Sequence, residues 1–216
     1  KKFKNFENKI TYLSIDHEPE EIQIVNEQDN HIDKSSKSIF NATKRENYQR
    51  NYLIKGLEDV DPEDIILISD IDEIPNLEKI KFKSIKNKLI FFQQKIFYYK
   101  FNLCLNLENW VGTKVCKKKD LVSPQWIRNI KDRNYPFWRL DILFSKNKYQ
   151  NIYFVTNGGW HFSYLKSAKD IEKKLKSYLH HREYDIEPVS VERIDQMIKE
   201  KKTVYDLKVD MRSSKF

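Results

Sequence analysis

The chain has 216 residues, of which only four are glycine, whereas aromatic residues make up 13% of the sequence. With so few glycines, neither of the two common glycine-rich phosphate-binding motifs occurs, and the length fits one domain with its own hydrophobic core. The net charge of +8 is compatible with nucleic acid, a phosphorylated cofactor or a membrane surface as a partner, although scattered lysines also serve simply to hydrate a surface.

The first part of the chain predicts strands that alternate with helices, which is the pattern of an α/β domain. One predicted strand is a wholly apolar run between turn signals, and this composition is typical of a central strand buried on both faces. Thr43 is a candidate helix cap, and Asp61 with Pro62 marks a turn. The predicted elements are a strand over residues 9–16, a loop or weakly ordered segment over 17–42, a helix over 43–57, a strand over 65–69 and a short helix over 77–87.

The second part predicts more strands and then two helices. Ser167 and Asp170 have the spacing of a capping box at the start of the first of these helices. The predicted elements are two strands or a bent hairpin over residues 89–107, a mixed region over 110–150 with Trp110, Trp126 and Trp138 in loops or edge strands, a strand over 152–156, a turn over 157–161, and helices over 167–181 and 190–200. We therefore expect one α/β domain with a mixed sheet over residues 1–216, whose C-terminal part, about 167–206, is helical.

Cysteine content and hydropathy limit the class of protein further. Cys104 and Cys116 are the only cysteines, so the sequence predicts no disulfide scaffold, and no C-x-x-C motif is present. No apolar run reaches about 18 residues, which predicts no membrane-spanning helix in this chain. No signal peptide opens the sequence.

The strongest chemical signal is the segment IILISDIDEIP, residues 65–75. An apolar strand that ends in Asp-x-Asp brings two carboxylates to the edge of a sheet, where ligands bind in open α/β folds. If the strand persists, Asp70 and Asp72 project to the same side, and a hard cation such as Mg²⁺ or Mn²⁺ relieves their repulsion. We therefore expect a divalent metal site that can bridge a diphosphate. The alternative is a polar turn in which Asp70 caps the next segment.

The second signal is the segment NGGWHFSY, residues 157–164. Gly158 and Gly159 permit a close approach of the backbone to a ligand, and Trp160 and His161 follow directly. A histidine at such a place can complete a metal site, act as a base or hydrogen-bond a phosphate. The alternative is a packed aromatic turn with a structural histidine.

Two weaker clusters complete the list of candidate sites. Arg45 and Arg50 lie on the predicted helix over 43–57, and their guanidinium groups match the geometry of phosphates. Arg50 is also spaced to pair with Glu46 on a solvated helix face. The histidines and acid of residues 180–183 lack the His-x-x-His spacing of a zinc site.

Several of these blocks together resemble glycosyltransferase family 17, which includes the β-1,4-mannosyl-glycoprotein 4-β-N-acetylglucosaminyltransferases. The resemblance extends over about residues 45–206, and its blocks are RENYQRN, DPEDIILISDIDEIP, GGWHFSY and a closing HHRE, in this order. It implies a GT-A-like mixed sheet with flanking helices, and an inverting transfer of a sugar from a UDP-sugar, by family preference UDP-GlcNAc, to a hydroxyl of a glycan or glycoconjugate acceptor. We also expect this chain to lack the first nucleotide-binding strand of such folds.

The same resemblance implies roles in binding the donor. Asp70 and Asp72 would hold Mn²⁺ or Mg²⁺ against the donor diphosphate, with Asp72 the more direct ligand. His161 would be a third ligand or a phosphate contact, and Arg45 and Arg50 would meet phosphates.

Inversion also requires a carboxylate base on the acceptor side, for which Glu73 and Asp141 are the candidates. Trp110, Trp138 and Trp160 are candidates for stacking on sugar rings, with core packing as the alternative for each of them.

Two other function classes remain open from the sequence. A phosphatase of the haloacid dehalogenase type also places Asp-x-Asp after an apolar strand, but Ile74 stands where those enzymes usually have Thr or Val. A basic nucleic-acid-binding module would fit the net charge and the aromatic content. We do not expect nucleic acid as a partner, because the acids that follow the best strand would repel phosphates without a metal.

Overall fold

The computed structural model describes residues 3–105, 110–177 and 188–203. Their fold is mixed α/β, as the sequence predicts, with two four-stranded sheets and flanking helices. The strands are β1 Ile65–Ile68, β2 Glu73–Pro75, β3 Ile90–Gln93, β4 Lys95–Tyr98, β5 Cys104–Leu105, β6 Val111–Lys117, β7 Tyr153–Val155 and β8 Gly159–Ser163. The α-helices are α1 His31–Tyr52, α2 Pro124–Asn129, α3 Ala168–Ser177 and α4 Val191–Glu200.

Backbone contacts divide the chain into two compact units, each made of several segments. The first unit contains Lys1–Ile68, Lys86–Ile90 and Lys114–Tyr153, and the second contains Ser69–Ile85, Phe91–Thr113 and Phe154–Phe216. The single domain over residues 1–216 stays a prediction.

Helix α1 of the first unit begins earlier than predicted. The side chain of Asn30 accepts a hydrogen bond from the backbone N–H of Asp33 (2.9 Å), which caps the helix at its true start. Thr43 is therefore not a cap but lies inside the helix, where its hydroxyl donates to the carbonyl of Ile39 (2.8 Å). The predicted loop over 17–42 is wrong from residue 31 onward. A 3₁₀ helix, Leu53–Leu57, follows α1.

The two predicted strands of the first unit also need correction. Residues 10–16 form no strand, because Ile10 and Tyr12 are exposed and no partner strand lies beside them in the described part of the chain. The sheet order is β1-β6-β3-β7, so the apolar run of β1 is an edge strand rather than a central one. It pairs antiparallel with β6, and only its residues Ile66 and Ile68 are buried.

Shorter elements replace three further predicted ones. The predicted helix over 77–87 is two 3₁₀ turns, Leu77–Lys79 and Phe82–Ser84. The β-rich stretch over 89–107, predicted as two strands or a bent hairpin, contains three strands, β3, β4 and β5, so it is divided as expected but into more pieces. Trp126 lies in helix α2 and not in a loop or edge strand.

The second unit has the sheet order β2-β8-β4-β5. Strand β8 pairs antiparallel with β2 and parallel with β4, and β4 and β5 form an antiparallel hairpin. One face of this sheet packs on α3 and α4 through a core that includes Ile96, Tyr98, Ile171 and Ile194.

Helix α3 starts where the sequence predicts, because the Ser167 hydroxyl donates to the Asp170 carboxylate (2.6 Å) and accepts from its N–H (3.2 Å). Helix α4 is likewise confirmed, with Ser190 as its cap. The predicted end of the first helix and the cluster over 180–183 lie outside the described residues.

The glycine-containing segment after β7 differs from the predicted turn over 157–161. The segment after β7 turns earlier than predicted, so Trp160 and His161 lie on strand β8 rather than in a turn.

Both cysteines are free, with Cys104 exposed and Cys116 buried. Within the described ranges, no helix has the length and apolar character needed to cross a membrane.

Candidate active site

The Asp-x-Asp segment forms a closed turn in the second unit. The sequence prediction needs the strand to continue to Asp72, but strand β1 ends at Ile68. The carbonyl of Asp70 accepts from the N–H of Glu73 (3.0 Å), and the Glu73 carboxylate accepts from the N–H of Asp70 (3.0 Å). These reciprocal hydrogen bonds fix the backbone that carries Asp72.

Strand β8 holds His161 opposite this turn. In the antiparallel register of β2 and β8, His161 is the partner of Glu73, and the N–H of Phe162 donates to the carbonyl of Asp72 (2.9 Å). The imidazole Nε2 of His161 lies 3.5 Å from the Asp72 carboxylate. The structure therefore brings together Asp72 and His161, two of the three metal ligands that the sequence names.

Burial and charge act in opposite directions on the half-buried Asp72 side chain. Burial alone raises the pKa of its carboxyl, but the hydrogen bond and charge of His161, helped by the charge of Lys174, outweigh burial and lower the pKa below its ordinary value. The Asp72 carboxyl therefore keeps its negative charge at neutral pH in spite of its partial burial.

The ring of His161 is held by stacking. It lies on the indole of Trp110 with ring centres 5.0 Å apart and planes 21° apart, and its side chain is only 13% exposed. Among the described residues, neither His161 Nδ1 nor Trp110 Nε1 has a hydrogen-bond partner. Buried polar atoms without partners cost free energy and often mark functional sites.

Asp72 and His161 supply part of the ligand set that a divalent cation needs. Within the described residues, no group of three or more His, Cys, Asp and Glu side chains is placed to hold a metal ion. Asp72 and His161 nevertheless supply one carboxylate and one imidazole, and Mg²⁺-type sites commonly use one or two protein carboxylates completed by water and substrate phosphates. The imidazole nitrogen favours Mn²⁺ over Mg²⁺, since nitrogen ligands suit transition metals better.

A polar row that the sequence did not reveal, formed by Ser69, Thr113 and Gln94, begins next to Asp70; Thr113 and Gln94 are buried, and Ser69 is exposed. The hydroxyls of Ser69 and Thr113 hydrogen-bond each other (2.6 Å), and the amide of Gln94 donates to Thr113 (3.2 Å). A Cβ added at Gly112 would lie 1.7 Å from the Gln94 Oε1 and 3.2 Å from the Glu73 Cδ. An isolated glycine within an apolar strand pattern is the signal that could have revealed this close approach.

The two candidate bases occupy different environments. Glu73 is only 5% exposed and is engaged in the turn that carries Asp72. Asp141 lies in the first unit, in the 3₁₀ helix Leu140–Ile142, and is contacted by Arg139 (2.7 Å) and Lys148 (2.6 Å). Hydrogen bonds from these two cations hold its pKa well below the ordinary value, which makes it a weak base.

The two arginine candidates lie on α1 of the first unit. Arg45 pairs with Glu18 (2.8 Å), and this hydrogen bond raises its pKa. Arg50 contacts Glu46 (2.9 Å) and the side chain of Gln125 (2.6 Å). Their predicted contact with phosphates stays a prediction.

The aromatic candidates differ in exposure. Trp160 is 38% exposed and, because side chains alternate along a strand, faces away from His161 on β8. Trp138 is exposed in the first unit, whereas Trp110 is partly buried under His161.

Comparison with known proteins identifies the family. The model of glycosyltransferase family 17 matches residues 1–129. The chain belongs to this family. No curated protein and no solved structure gives a significant match to the chain. The family match includes the Asp70–Glu73 turn and Trp110 but ends before His161.

Membership of a glycosyltransferase family has direct consequences for function. The chain is a glycosyltransferase, which acts on a sugar donor and an acceptor. The family therefore supports glycosyl transfer over the phosphatase and nucleic-acid-binding alternatives that the sequence left open.

Proposed function

We propose that this glycosyltransferase transfers N-acetylglucosamine from UDP-GlcNAc to a hydroxyl of a glycan or glycoconjugate acceptor, with inversion at the anomeric carbon and with Mn²⁺ or Mg²⁺ bound. The observation that carries the proposal is the convergence of the Asp72 carboxylate and the His161 Nε2, 3.5 Å apart. Family membership supports the transfer of a sugar, and this pair supports the metal-assisted form of it.

Asp72 and His161 are the residues that would hold the cation, and Asp70 would assist from the same turn. When bound, a divalent cation neutralises charge on the departing diphosphate. The protein's own contribution is to fix the turn that carries Asp72, through the hydrogen bonds between Asp70 and Glu73, and to keep the imidazole in place against Trp110.

Glu73 is the better placed of the two candidate bases. It neighbours Asp72 in sequence and His161 in the sheet register, whereas two cations engage Asp141. A base must accept a proton from the acceptor hydroxyl, and the lowered pKa of Asp141 opposes that role.

Isothermal titration of the full chain with UDP-GlcNAc, with Mn²⁺ and then with EDTA, tests the proposal. We expect binding with Mn²⁺, weaker binding with Mg²⁺ and at least about tenfold weaker binding in EDTA. Asp72→Asn should remove the metal dependence, and Asp59→Asn, at an exposed aspartate of the first unit, is the matched control.

Different outcomes contradict different parts of the proposal. Equal affinity in Mn²⁺ and EDTA would remove the metal from the site. Tighter binding of UDP-glucose or UDP-galactose than of UDP-GlcNAc would overturn the assignment of the sugar while leaving glycosyl transfer in place.

A further inference from the structure

We propose that the segment 136–144 of the first unit is a membrane-docking patch that binds the surface of an anionic lipid bilayer. The docking patch is defined by five large apolar side chains that are between 68% and 89% exposed: Phe137, Trp138, Leu140, Leu143 and Phe144. So dense an exposed apolar cluster marks an interaction surface in a soluble domain. This inference does not depend on the proposed donor, metal or base.

Three backbone hydrogen bonds lie within the docking patch. Successive turns join Arg139 to Pro136 (3.2 Å), Ile142 to Arg139 (3.2 Å) and Leu143 to Leu140 (3.1 Å). These hydrogen bonds hold part of the segment in tight turns, and its apolar side chains are exposed in that conformation.

The chemistry of the side chains fits the interface between water and lipid. Trp138 packs edge-on against Phe137, with ring centres 5.1 Å apart. Tryptophan is enriched at membrane interfaces, and phenylalanine and leucine are typical of the apolar face of segments that lie in the interface plane.

The charge around the docking patch favours an anionic surface. Residues 128–148 contain six Lys and Arg against two Asp, a net charge of +4. Asp141 already contacts Arg139 and Lys148, and Lys131, Arg133 and Lys146, which flank the docking patch in the sequence, are exposed. Basic segments next to an apolar anchor are attracted to anionic lipids.

The same charges disfavour a second copy of this chain as the occupant. A symmetric dimer through the docking patch would place identical basic segments against each other, and like charges that face each other across an interface repel. An anionic bilayer instead satisfies the apolar and the basic groups at once.

Vesicle sedimentation of the full chain tests the proposal. We expect association with vesicles of phosphatidylcholine that contain about one third phosphatidylserine, and much weaker association with pure phosphatidylcholine. The double variant Trp138→Ser with Phe144→Ser should lower the partition coefficient at least about tenfold, because both changes remove apolar area. Val122→Ser, at an exposed apolar residue of the same unit, is the matched control and should bind as the parent does.

The charge contribution is tested separately. Arg133→Gln with Lys146→Gln should weaken binding about threefold or more at low salt and reduce its salt dependence, since it removes two exposed cations. Lys81→Gln with Lys83→Gln, at exposed lysines of the second unit, should have less effect. Circular dichroism spectra that match the parent's establish that each variant folds.

Three results would overturn the proposal. The first is that the parent chain does not sediment with anionic vesicles. The second is that the double variant sediments as well as the parent. The third is that analytical ultracentrifugation shows the parent to be a dimer that the double variant dissociates, which would make the patch an interface between two copies.

Discussion

Asp72 and Asp141 are both aspartates of lowered pKa, yet their surroundings give them different capacities. Asp72 is half-buried, lies 3.5 Å from the imidazole of His161 with the charge of Lys174 also acting on it, and is carried by a turn that hydrogen-bonds to strand β8. Asp141 is exposed and is engaged by both Arg139 and Lys148. Two direct contacts below 3 Å satisfy the Asp141 carboxylate, whereas the contact between Asp72 and His161 is longer, at 3.5 Å.

The ion pairs of the two aspartates also differ in how strongly solvent screens them. The exposed ion pairs of Asp141 are screened by water and salt and contribute little to stability. The Asp72–His161 pair is partly desolvated, so water screens its electrostatic interaction less than it screens an exposed ion pair.

The largest expected effect is on transfer activity. Asp72→Asn should lower kcat/KM by about 10²–10³-fold, because it removes the carboxylate that would hold the cation in the proposed function. Asp141→Asn should lower it by less than about fivefold, because its carboxylate is engaged in surface ion pairs. Initial rates with UDP-GlcNAc and an accepted glycan measure both.

A larger loss of activity in Asp141→Asn than in Asp72→Asn would contradict this assignment of the two aspartates. If Asp141→Asn loses the activity and Asp72→Asn keeps it, Asp141 is the base and the Asp72–His161 pair is structural. Urea denaturation of both variants separates a loss of activity from a loss of folding.

Local signals in the sequence predict the helices of the second unit but not the site. Ser167 and Asp170 cap α3 through contacts three residues apart, so the pattern alone contains the information. The Asp72–His161 contact depends on the register of β2 and β8, which pairs residues far apart in the chain. The sequence suggests both residues as metal ligands, but only the fold shows that their side chains lie 3.5 Å apart.

The errors in the first unit have physical causes of the same kind. Helix α1 is polar along much of its length, so hydrophobic periodicity hides its start, although Asn30 and Asp33 have the spacing of a cap. The apolar residues of β1 indicate burial but do not state how many strands lie beside it, and β1 proves to be an edge strand.

A second effect concerns the backbone at Gly112, next to the turn that carries Asp72. Gly112→Ala should destabilise the fold by about 1–3 kcal/mol, because the added Cβ would meet the buried Gln94 side chain at 1.7 Å and crowd Glu73. Gly56→Ala in the first unit is the matched control, since its Cβ would meet Leu13 at an ordinary 3.4 Å. It should change stability by less than about 1 kcal/mol. Equal unfolding midpoints in urea for the two variants would show that the polar row next to Asp70 is not tightly packed.

The smallest effect is the pH dependence of stability. Since the pKa of Asp72 in the folded chain lies below its ordinary value of 3.8, the folded state binds its proton less readily than the unfolded state does. The stabilisation is therefore present above pH 3.8 and is lost as the pH falls through the lowered folded value.

Asp72→Asn should accordingly be less stable than the parent by at most about 1 kcal/mol near pH 5, and this difference should shrink towards zero at lower pH. The exposed Asp141 has a lowered pKa too, so Asp141→Asn should follow the same sign, but salt should remove its effect first because water and ions reach its partners. Urea denaturation at several pH values, with and without added salt, measures both differences. A difference for Asp72→Asn that grows as the pH falls would mean that burial, and not His161, dominates the carboxylate, and the contrast between the two aspartates would then rest on desolvation alone.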